Sequence, residues 1–365
     1  MTRSVAIKTE ARDTPLETQR TDPWSKSTRR LAKRLNLTLV GPDELSWTRL
    51  RHGKSFRYVA ASGAPLRSVP AIRRLKSLAV PPAYEQVRYA TDPKAHLQAV
   101  GRDAAARLQY RYHPDWEKVR EIRKARRLSR LVEALPRIRR KVGQILAGRE
   151  PTREFAIAAV VELIARTAIR PGNDAYTRRH GSRGATTLLK SNAAVEGDYV
   201  VLSFRAKGGR QVRKECDAHR LVHAIKVLKT LSGNRLFQYR DDAGDVRRVS
   251  ALQVNQFLRE VSGTKISLKD FRTLLASAAV LESLARVRPA ASARKRRRQI
   301  LEAIRETAEE LANTPAICRR SYVHETVVAA FERGMLEKFS QTLKGCRSLA
   351  AREKVLSQVI ATAIV

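Results

Sequence analysis

Four separated segments of the chain carry side chains of the kinds that phosphate chemistry uses. They are TAIRPGNDAY with Arg170, FRAKGGR with Lys207, LKDFRTL with Lys269 and Arg272, and NTPAICRRSYVH with Asn313 and Tyr322. A tyrosine phenol has a pKa of about 10 and is a poor nucleophile at neutral pH, but nearby cations favour its phenolate. Preorganised guanidinium groups can bind two oxygens of a phosphodiester at once. A fold that unites these segments could therefore cleave a phosphodiester by nucleophilic attack.

Taken singly, these residues indicate much less. An isolated arginine on a basic protein is most often a solvated or phosphate-binding residue. Tyr322 alone would most often be a core or interface tyrosine. It is the ordered set, together with the net charge, that favours chemistry over these alternatives.

The charge of the chain indicates the class of partner. The 365 residues include 73 Lys and Arg against 35 Asp and Glu, which gives a formal net charge of +38. Hydrophobic residues make up 43% of the chain, enough to build a buried core. Few globular proteins hold so much like charge without a polyanion to offset it. Nucleic acid is therefore the expected partner.

Several other classes of protein are not expected. No unbroken apolar run approaches the ~18 residues of a membrane-spanning helix, and acidic residues interrupt any apolar core of a signal peptide. Cys216, Cys318 and Cys346 are far apart in sequence and predict neither a disulfide framework nor a zinc motif. We therefore expect no membrane association and a reducing compartment, meaning cytoplasm or nucleoid.

Nucleotide and metal motifs are incomplete. Gly53-Lys54-Ser55 resembles the end of a phosphate-binding loop, but the glycine that the motif requires five positions earlier is Thr48. His219 and His223 have the i,i+4 spacing of metal ligands, yet no third ligand is evident, and ordinary helix histidines are the simpler interpretation. We expect no nucleotide triphosphate site, no metal and no cofactor.

In their order along the chain, the four segments resemble the type IB DNA topoisomerases, in particular the compact poxvirus-like bacterial branch. The resemblance covers roughly residues 35 to 335. It also includes the segment GRDAAARLQYRYHPDW in the N-terminal part of the chain and a TTL segment at Thr186 to Leu188. Each short match is weak alone, whereas the complete order is specific.

The resemblance implies a role for each member of the set. Tyr322 would attack a backbone phosphate and form a 3′-phosphotyrosyl link, while Arg170 and Arg272 clamp the nonbridging oxygens. Lys207, on a hairpin turn, would protonate the leaving 5′-oxygen as general acid. Asn313, where many relatives have His, would donate a hydrogen bond to a nonbridging oxygen. One ester replaces another, so neither ATP nor an obligatory metal is expected.

Further DNA contacts are predicted outside this set. Tyr110 and Tyr112 alternate on a predicted strand and therefore share one face. That face could be a hydrophobic sheet surface, but the resemblance favours base and backbone contacts made together with Gln109. Tyr176 and Lys269 are the remaining predicted DNA-contact residues.

The elements that must position these residues are predicted to form an α+β protein. We expect a disordered basic tail over residues 1–34 and a small domain of mixed β-sheet and helix over 35–120. A larger, mainly α-helical catalytic domain with a short β-hairpin region is expected over 121–365. The two domains would clamp DNA from opposite sides.

Local patterns predict the individual elements. In the smaller domain, hairpins are predicted at 55–68 and 96–112, with a helix over 69–78. In the larger domain, a hairpin over 199–215 places Lys207 beside a Gly-Gly turn. The predicted helices of that domain cover residues 155–167, 219–231, 250–261 and 271–287.

Two charged segments each leave two interpretations open. Residues 117–130 hold seven cations and two acids, which predicts either a charged connector or a helix at the start of the larger domain. Arg294 to Leu311 has helical spacing, but five cations open it and glutamates close it, against the preference of the helix dipole. The five cations either bind an external anion or form a loop before the helix.

The sequence thus predicts a bacterial, nucleoid-associated DNA topoisomerase that clamps duplex DNA as a monomer and relaxes supercoils. One alternative is a tyrosine recombinase or integrase, which uses the same chemistry. Lys269 stands where recombinases commonly have the His of an HxxR motif, which favours the topoisomerase. The other alternative is a non-catalytic nucleic-acid-binding protein built on a decayed enzyme.

Overall fold

The computed structural model describes residues 24–53, 55–344 and 349–361. The chain divides into two compact units, of which the first ends at Val119 and the second begins at Arg120. The described elements of the first unit are α1 (Lys26–Arg34), β1 (Trp47–His52), β2 (Ser55–Val59), α2 (Val69–Ser77), β3 (Glu85–Tyr89), β4 (Leu97–Arg102) and β5 (Leu108–Tyr112).

The described strands of the first unit form one antiparallel sheet in the order β2-β1-β3-β4-β5. Leu75 of α2 is buried against Tyr58 and Tyr89 of the sheet. Removing these large apolar side chains from water stabilises the pairing of the helix with the sheet. The 96–112 hairpin is confirmed by β4 and β5, and the 69–78 helix by α2.

The prediction of a hairpin at 55–68 is confirmed only in part. Strand β2 pairs along its length with β1, from Thr48↔Val59 to His52↔Ser55. On its other side, β2 has one isolated bridge, Val59↔Pro65. The Ala60 N–H donates to the Ala64 carbonyl at 2.8 Å and the Leu66 N–H to the Tyr58 carbonyl at 2.9 Å, so the chain reverses at the predicted turn, but residues 65–68 form no strand.

The predicted disordered tail is too long at its C-terminal end. Residues 26–34 form α1, whose first turn is capped by the hydroxyl of Ser25. Leu31 of this helix is buried in a cluster with Trp116, which supplies the apolar contact that a short helix needs. Residues 1–23 lie outside the described residues.

The second unit is mainly helical. Helix α3 (Pro114–Leu146) begins in the last residues of the first unit, and most of its length belongs to the second unit. The described elements that follow are α4 (Arg153–Thr167), α5 (Asp174–His180), β6 (Ala193–Glu196), β7 (Tyr199–Arg205), β8 (Gln211–Asp217), α6 (His219–Lys229), β9 (Gln238–Arg240), β10 (Val246–Arg248), α7 (Ala251–Ser262), α8 (Leu268–Ala285), α9 (Ala293–Glu310), α10 (Pro315–Ser321), α11 (Glu325–Glu332), α12 (Ser340–Lys344) and α13 (Leu349–Ala361).

Helices α4 and α8 form the centre of this unit. Almost every residue of α4 is buried, as its sequence REFAIAAVVELIART requires, because a helix that is apolar all round must lie inside a protein. Helix α4 packs against α6, α7 and α8, and α8 packs against α9, α11 and α13. Strands β6, β7 and β8 form a separate antiparallel sheet, and β9 pairs with β10.

The predicted elements of the larger domain are found. The four predicted helices correspond to α4, α6, α7 and α8, and the 199–215 hairpin corresponds to β7 and β8. Residues 117–130 lie within the 33-residue helix α3, and the five cations 294–298 lie within α9 and not in a loop. The α+β class is confirmed.

Two of the three cysteines lie within the described residues. Cys216 and Cys318 are buried free thiols, and burial raises the pKa of each to about 11. Cys346 lies outside the described residues. Across the described ranges, no helix combines the length and apolar character needed to cross a bilayer.

Candidate active site

Helix α8 carries two of the predicted residues, and a capping box fixes its first turn. The backbone N–H and the hydroxyl of Ser267 both donate to the Asp270 carboxylate, at 2.8 and 2.9 Å. Burial raises the pKa of Asp270, while Arg127, 3.6 Å away, opposes this effect. Lys269 and Arg272 are three residues apart and therefore lie on one face of this fixed helix.

Arg272 is anchored by carbonyl groups at the ends of two other helices. Its guanidinium donates to the carbonyl of Ala168, directly after α4, and to that of Leu311, directly after α9, the latter at 3.1 Å. Such helix-end carbonyls have no partner within their own helix. Arg272 is only 2% exposed, and burial lowers its pKa, while the adjacent phenol of Tyr322 opposes the shift.

Tyr322 lies against this arginine. The Arg272 Cζ atom is 4.9 Å from the centroid of the Tyr322 ring. Helix α10 positions the tyrosine at its C-terminal end, where the Tyr322 N–H bonds to the last turn. At the other end of the helix, Thr314 caps the first turn and Pro315 occupies the first helical position. The sequence TPAICRRSY thus encodes a short helix that ends at the phenol.

Asn313 lies at the opposite end of α10 and holds Arg170. Its Oδ1 accepts a hydrogen bond from the Arg170 guanidinium, and its backbone carbonyl accepts one from Arg210 at 3.0 Å. The residue is 6% exposed, and its Nδ2 is a buried donor without a partner among the described residues. Asn313 therefore orients Arg170 and still has amide hydrogens to donate.

Arg170 belongs to a loop that packs tightly on residues 184–187. The backbone carbonyls of Arg170 and Pro171 accept from N–H groups of this segment, each at 2.8 Å. A Cβ atom at Gly184 would lie 2.5 Å from the Arg170 oxygen, so glycine alone permits this approach. Residues 184–187, which include the start of the TTL segment, thus fix the backbone of Arg170.

Lys207 occupies the turn between β7 and β8. Gly208 and Gly209 adopt φ angles of 80° and 76°, in the left-handed region that favours glycine. The lysine is exposed, and its Nζ lies 5.7 Å from the centroid of the Tyr176 ring, within the range of a cation–π contact. The Gly-Gly turn therefore places the Lys207 ammonium beside the Tyr176 ring.

These residues line one open pocket of about 640 Å³. Six of the predicted residues line it: Arg170, Tyr176, Lys207, Lys269, Arg272 and Tyr322. Asn313 is not in the lining but contacts Arg170 directly. None of the lining residues is acidic. The pocket can therefore hold a phosphate beside a phenol in a strongly cationic environment.

The sequence analysis missed three arginines of this region. Arg179 and Arg183 line the pocket, and Arg210 holds the Asn313 carbonyl. Burial and the charge of Arg235 lower the pKa of Arg183. Two of the three stood beside motifs already singled out, because Arg183 precedes the TTL segment and Arg210 follows the Gly-Gly turn.

The remaining predicted DNA-contact residues belong to the first unit. Tyr110 and Tyr112 on β5 are 43% and 39% exposed, and their rings stack at 6.0 Å with 14° between their planes. Gln109 donates to the Asp103 carboxylate at 2.9 Å. The two tyrosines thus form an exposed aromatic surface on β5.

The two helix histidines have separate partners. His219 lies 3.2 Å from Asp198, and His223 shares a hydrogen bond of 2.8 Å with the carbonyl of Gly148. No group of three or more potential metal ligands gathers within the described part of the chain.

Comparison with known proteins matches both parts of the chain. A family model described as the catalytic core of eukaryotic DNA topoisomerase I matches residues 112–348, which is more than half of the chain. A model described as the N-terminal domain of bacterial DNA topoisomerase IB matches residues 55–103. The protein "DNA topoisomerase 1B" of Acanthamoeba polyphaga mimivirus is 28% identical over 259 residues, covering 69% of this chain and 77% of that protein.

Proposed function

The chain belongs to the type IB DNA topoisomerases, and from this premise we propose that it relaxes supercoiled duplex DNA through a 3′-phosphotyrosyl intermediate on Tyr322. The observation that carries the proposal is the contact between the Tyr322 ring and the buried Arg272, in a pocket lined by cations and no acid. A phenol in that position can attack a phosphate held by the same cations, whose positive charge stabilises the charge that develops on the nonbridging oxygens.

The arginines hold the scissile phosphate. Arg170 and Arg272 donate to the nonbridging oxygens, on which charge accumulates as the attack proceeds. Arg272 cannot move away, because two helix-end carbonyls already fix its guanidinium. Its Nε and the Asn313 Nδ2 are buried donors without a partner in the described part of the chain, which suits them to the same oxygens.

The chemical step exchanges one ester for another. The Tyr322 oxygen forms a bond to phosphorus, the bond from phosphorus to the 5′-oxygen breaks, and Lys207 gives that oxygen a proton. The free 5′-hydroxyl then attacks the phosphotyrosine and reverses each transfer after the duplex has rotated. The energy of the ester is retained throughout, so the cycle requires neither ATP nor an obligatory metal.

Contacts beyond the scissile phosphate hold the duplex. We assign these contacts to Gln109, Tyr110 and Tyr112 in an N-terminal clamp domain (35–120), and to Tyr176 and Lys269 in the catalytic domain (121–365). The aromatic pair on β5 and the cationic pocket support this assignment. A monomer then suffices, acting on the bacterial chromosome in the cytoplasm.

The proposal is tested by relaxation of a negatively supercoiled plasmid in excess chelator and without nucleotide. We expect complete relaxation, in steps of one linking number, because the cationic side chains do the work of a metal. The products are resolved on a chloroquine agarose gel. A strict requirement for Mg²⁺ or ATP would exclude this mechanism.

The cations at the start of α9 provide a further prediction. Arg294, Lys295, Arg297 and Arg298 are exposed and have no carboxylate partner among the described residues, whereas Arg296 folds back onto two backbone carbonyls. Replacing these four by glutamine should lower the slope of log K against log [salt] for duplex binding by about 3 to 4, since each phosphate contact contributes about 0.9. Fluorescence anisotropy over a salt series measures this slope.

A charge-preserving control accompanies that variant. A variant with lysine in place of Arg294, Arg297 and Arg298 should keep the wild-type slope of log K against log [salt]. The glutamine variant without DNA should also unfold at a higher temperature, because cations in a first turn oppose the helix dipole. An unchanged slope in the glutamine variant would show that this end of α9 does not bind DNA.

A further inference from the structure

The backbone that follows Tyr322 is held by two side chains from distant parts of the chain. The Ser277 hydroxyl donates to the carbonyl of Tyr322 at 3.1 Å, and the Lys124 ammonium donates to the carbonyl of Val323 at 2.9 Å. These carbonyls lie between α10 and α11, where no helical hydrogen bond is available to them. The two side chains therefore fix a segment that would otherwise depend on water.

Lys124 is placed differently from an ordinary surface lysine. Its side chain is only 16% exposed, although it belongs to the charged run 117–130 of α3. Glu121, one turn earlier, accepts from the same ammonium at 2.9 Å. A half-buried ammonium is stabilised by hydrogen-bond partners, and here a carboxylate and a carbonyl supply them. The half-buried ammonium of Lys124 thus fixes the position of the Val323 carbonyl.

Ser277 connects the same segment to the helix of Arg272. It is fully buried on α8, five residues after Arg272, and its oxygen also accepts from the His324 N–H at 3.1 Å. One hydroxyl therefore bonds to the backbone on both sides of Val323. The phenol and the guanidinium that faces it are joined through this hydroxyl and a single helix.

The next side chain, that of His324, does not repel the Lys124 ammonium. His324 is 3% exposed, and burial together with Lys124 and Arg319 lowers its pKa to about 4. Its neutral ring accepts from the Thr326 N–H at 3.1 Å and caps α11. The imidazole therefore adds no positive charge beside the ammonium at neutral pH.

We propose that Lys124 is a positioning residue for the covalent step: with Ser277 it holds the backbone after Tyr322, so that the phenol oxygen meets the phosphate in line. This inference rests on the proposed function of Tyr322. Lys124 bonds to a backbone carbonyl and to Glu121, and does not line the pocket. A displacement of about 1 Å in a reacting group can slow a reaction by about 100-fold.

The test measures single-turnover cleavage of a duplex whose short downstream strand leaves after cleavage, at saturating enzyme. Lys124→Met in the full chain should slow formation of the covalent adduct by about 10- to 100-fold. Its affinity for a non-cleavable duplex should stay within about twofold, because Lys124 does not line the pocket. Lys124→Gln, whose amide can still donate one hydrogen bond, should recover part of the rate.

A matched control comes from the same helix. Lys118 is 67% exposed and pairs with Asp115, so Lys118→Met should leave the rate of adduct formation unchanged. Lys124→Met combined with Ser277→Ala should lose less than the product of the two single effects, because both residues hold one segment.

The outcomes separate this inference from the proposed function. A Lys124→Met enzyme with wild-type cleavage rate and wild-type melting temperature overturns the positioning role. A loss that appears in DNA affinity and not in the cleavage rate also overturns it. Failure of the wild-type protein itself to form an adduct at Tyr322 would overturn the proposed function instead. If Lys124→Met melts early, Lys124→Gln decides the question by the same two measurements.

Discussion

Replacing Tyr322 with phenylalanine is expected to abolish both plasmid relaxation and the covalent protein–DNA adduct. The change removes the oxygen that we propose to attack the phosphate, so the rate should fall on the order of 10⁴-fold or more. The ring remains in contact with Arg272, so folding and DNA affinity should change little. Adduct formation is measured by denaturing gel electrophoresis with labelled DNA, and relaxation is measured on agarose.

A second tyrosine of the same pocket provides the control. Tyr176 contacts Lys207 through its ring, so Tyr176→Phe removes an oxygen but keeps that contact. This variant should still form the adduct. An adduct formed by Tyr322→Phe, or one that maps to Tyr176, would contradict the assignment. If Tyr322→Phe changed no DNA-processing assay at all, the protein would be a DNA-binding protein without this activity.

The sequence predicts the members of the pocket better than their supports. Arg170, Lys207, Arg272 and Tyr322 each lie in a short motif, and the order of these motifs resembles that of a known family, which groups the residues. The hydrogen bonds that fix them join residues far apart: Arg170 meets Asn313 across 143 positions, and Lys124 meets Val323 across 199. No local pattern encodes such pairs, because they depend on how complete helices pack.

Contacts with distant parts of the chain explain where two predictions for the smaller domain fall short. The 55–68 segment reverses at its predicted turn, but residues 65–68 form no strand, and the ladder of β2 is formed with β1. Residues 26–34 are too few for a helix that is stable alone, and their order depends on Trp116, far along the chain. Propensity is overridden in the first case and completed by tertiary contact in the second.

Helix α9 illustrates how packing outweighs electrostatics. Its five leading cations oppose the dipole by a few tenths of a kcal/mol each at low salt, up to about 1 kcal/mol. Its apolar stripe, Ile300, Ala303 and Ile304, is buried, and each large side chain removed from water contributes about 1.5–3 kcal/mol. The segment is therefore helical with its cations outside, which is the arrangement that leaves them available to DNA.

Substitution of Arg272 by lysine is expected to slow DNA cleavage by about 100- to 1,000-fold while the charge of the site is preserved. The guanidinium donates to the carbonyls of Ala168 and Leu311 and still presents its Nε, whereas an ammonium on a flexible stem cannot serve all these directions. The loss of one preorganised donor to a developing oxyanion costs a factor of this size. Single-turnover cleavage at saturating enzyme measures it.

The same substitution also distinguishes geometry from charge. Arg179 lines the pocket, is exposed and has no hydrogen-bonded anchor among the described residues, so Arg179→Lys should keep the cleavage rate within a few-fold. Arg272→Lys should in addition lower the free energy of unfolding by about 1–3 kcal/mol, because a buried carbonyl loses its donor. An Arg272→Lys variant that folds normally and cleaves at the wild-type rate would mean that charge alone activates the phosphate. The anchoring carbonyls would then have a purely structural role, and catalysis would have to be assigned to the cationic field of the pocket as a whole.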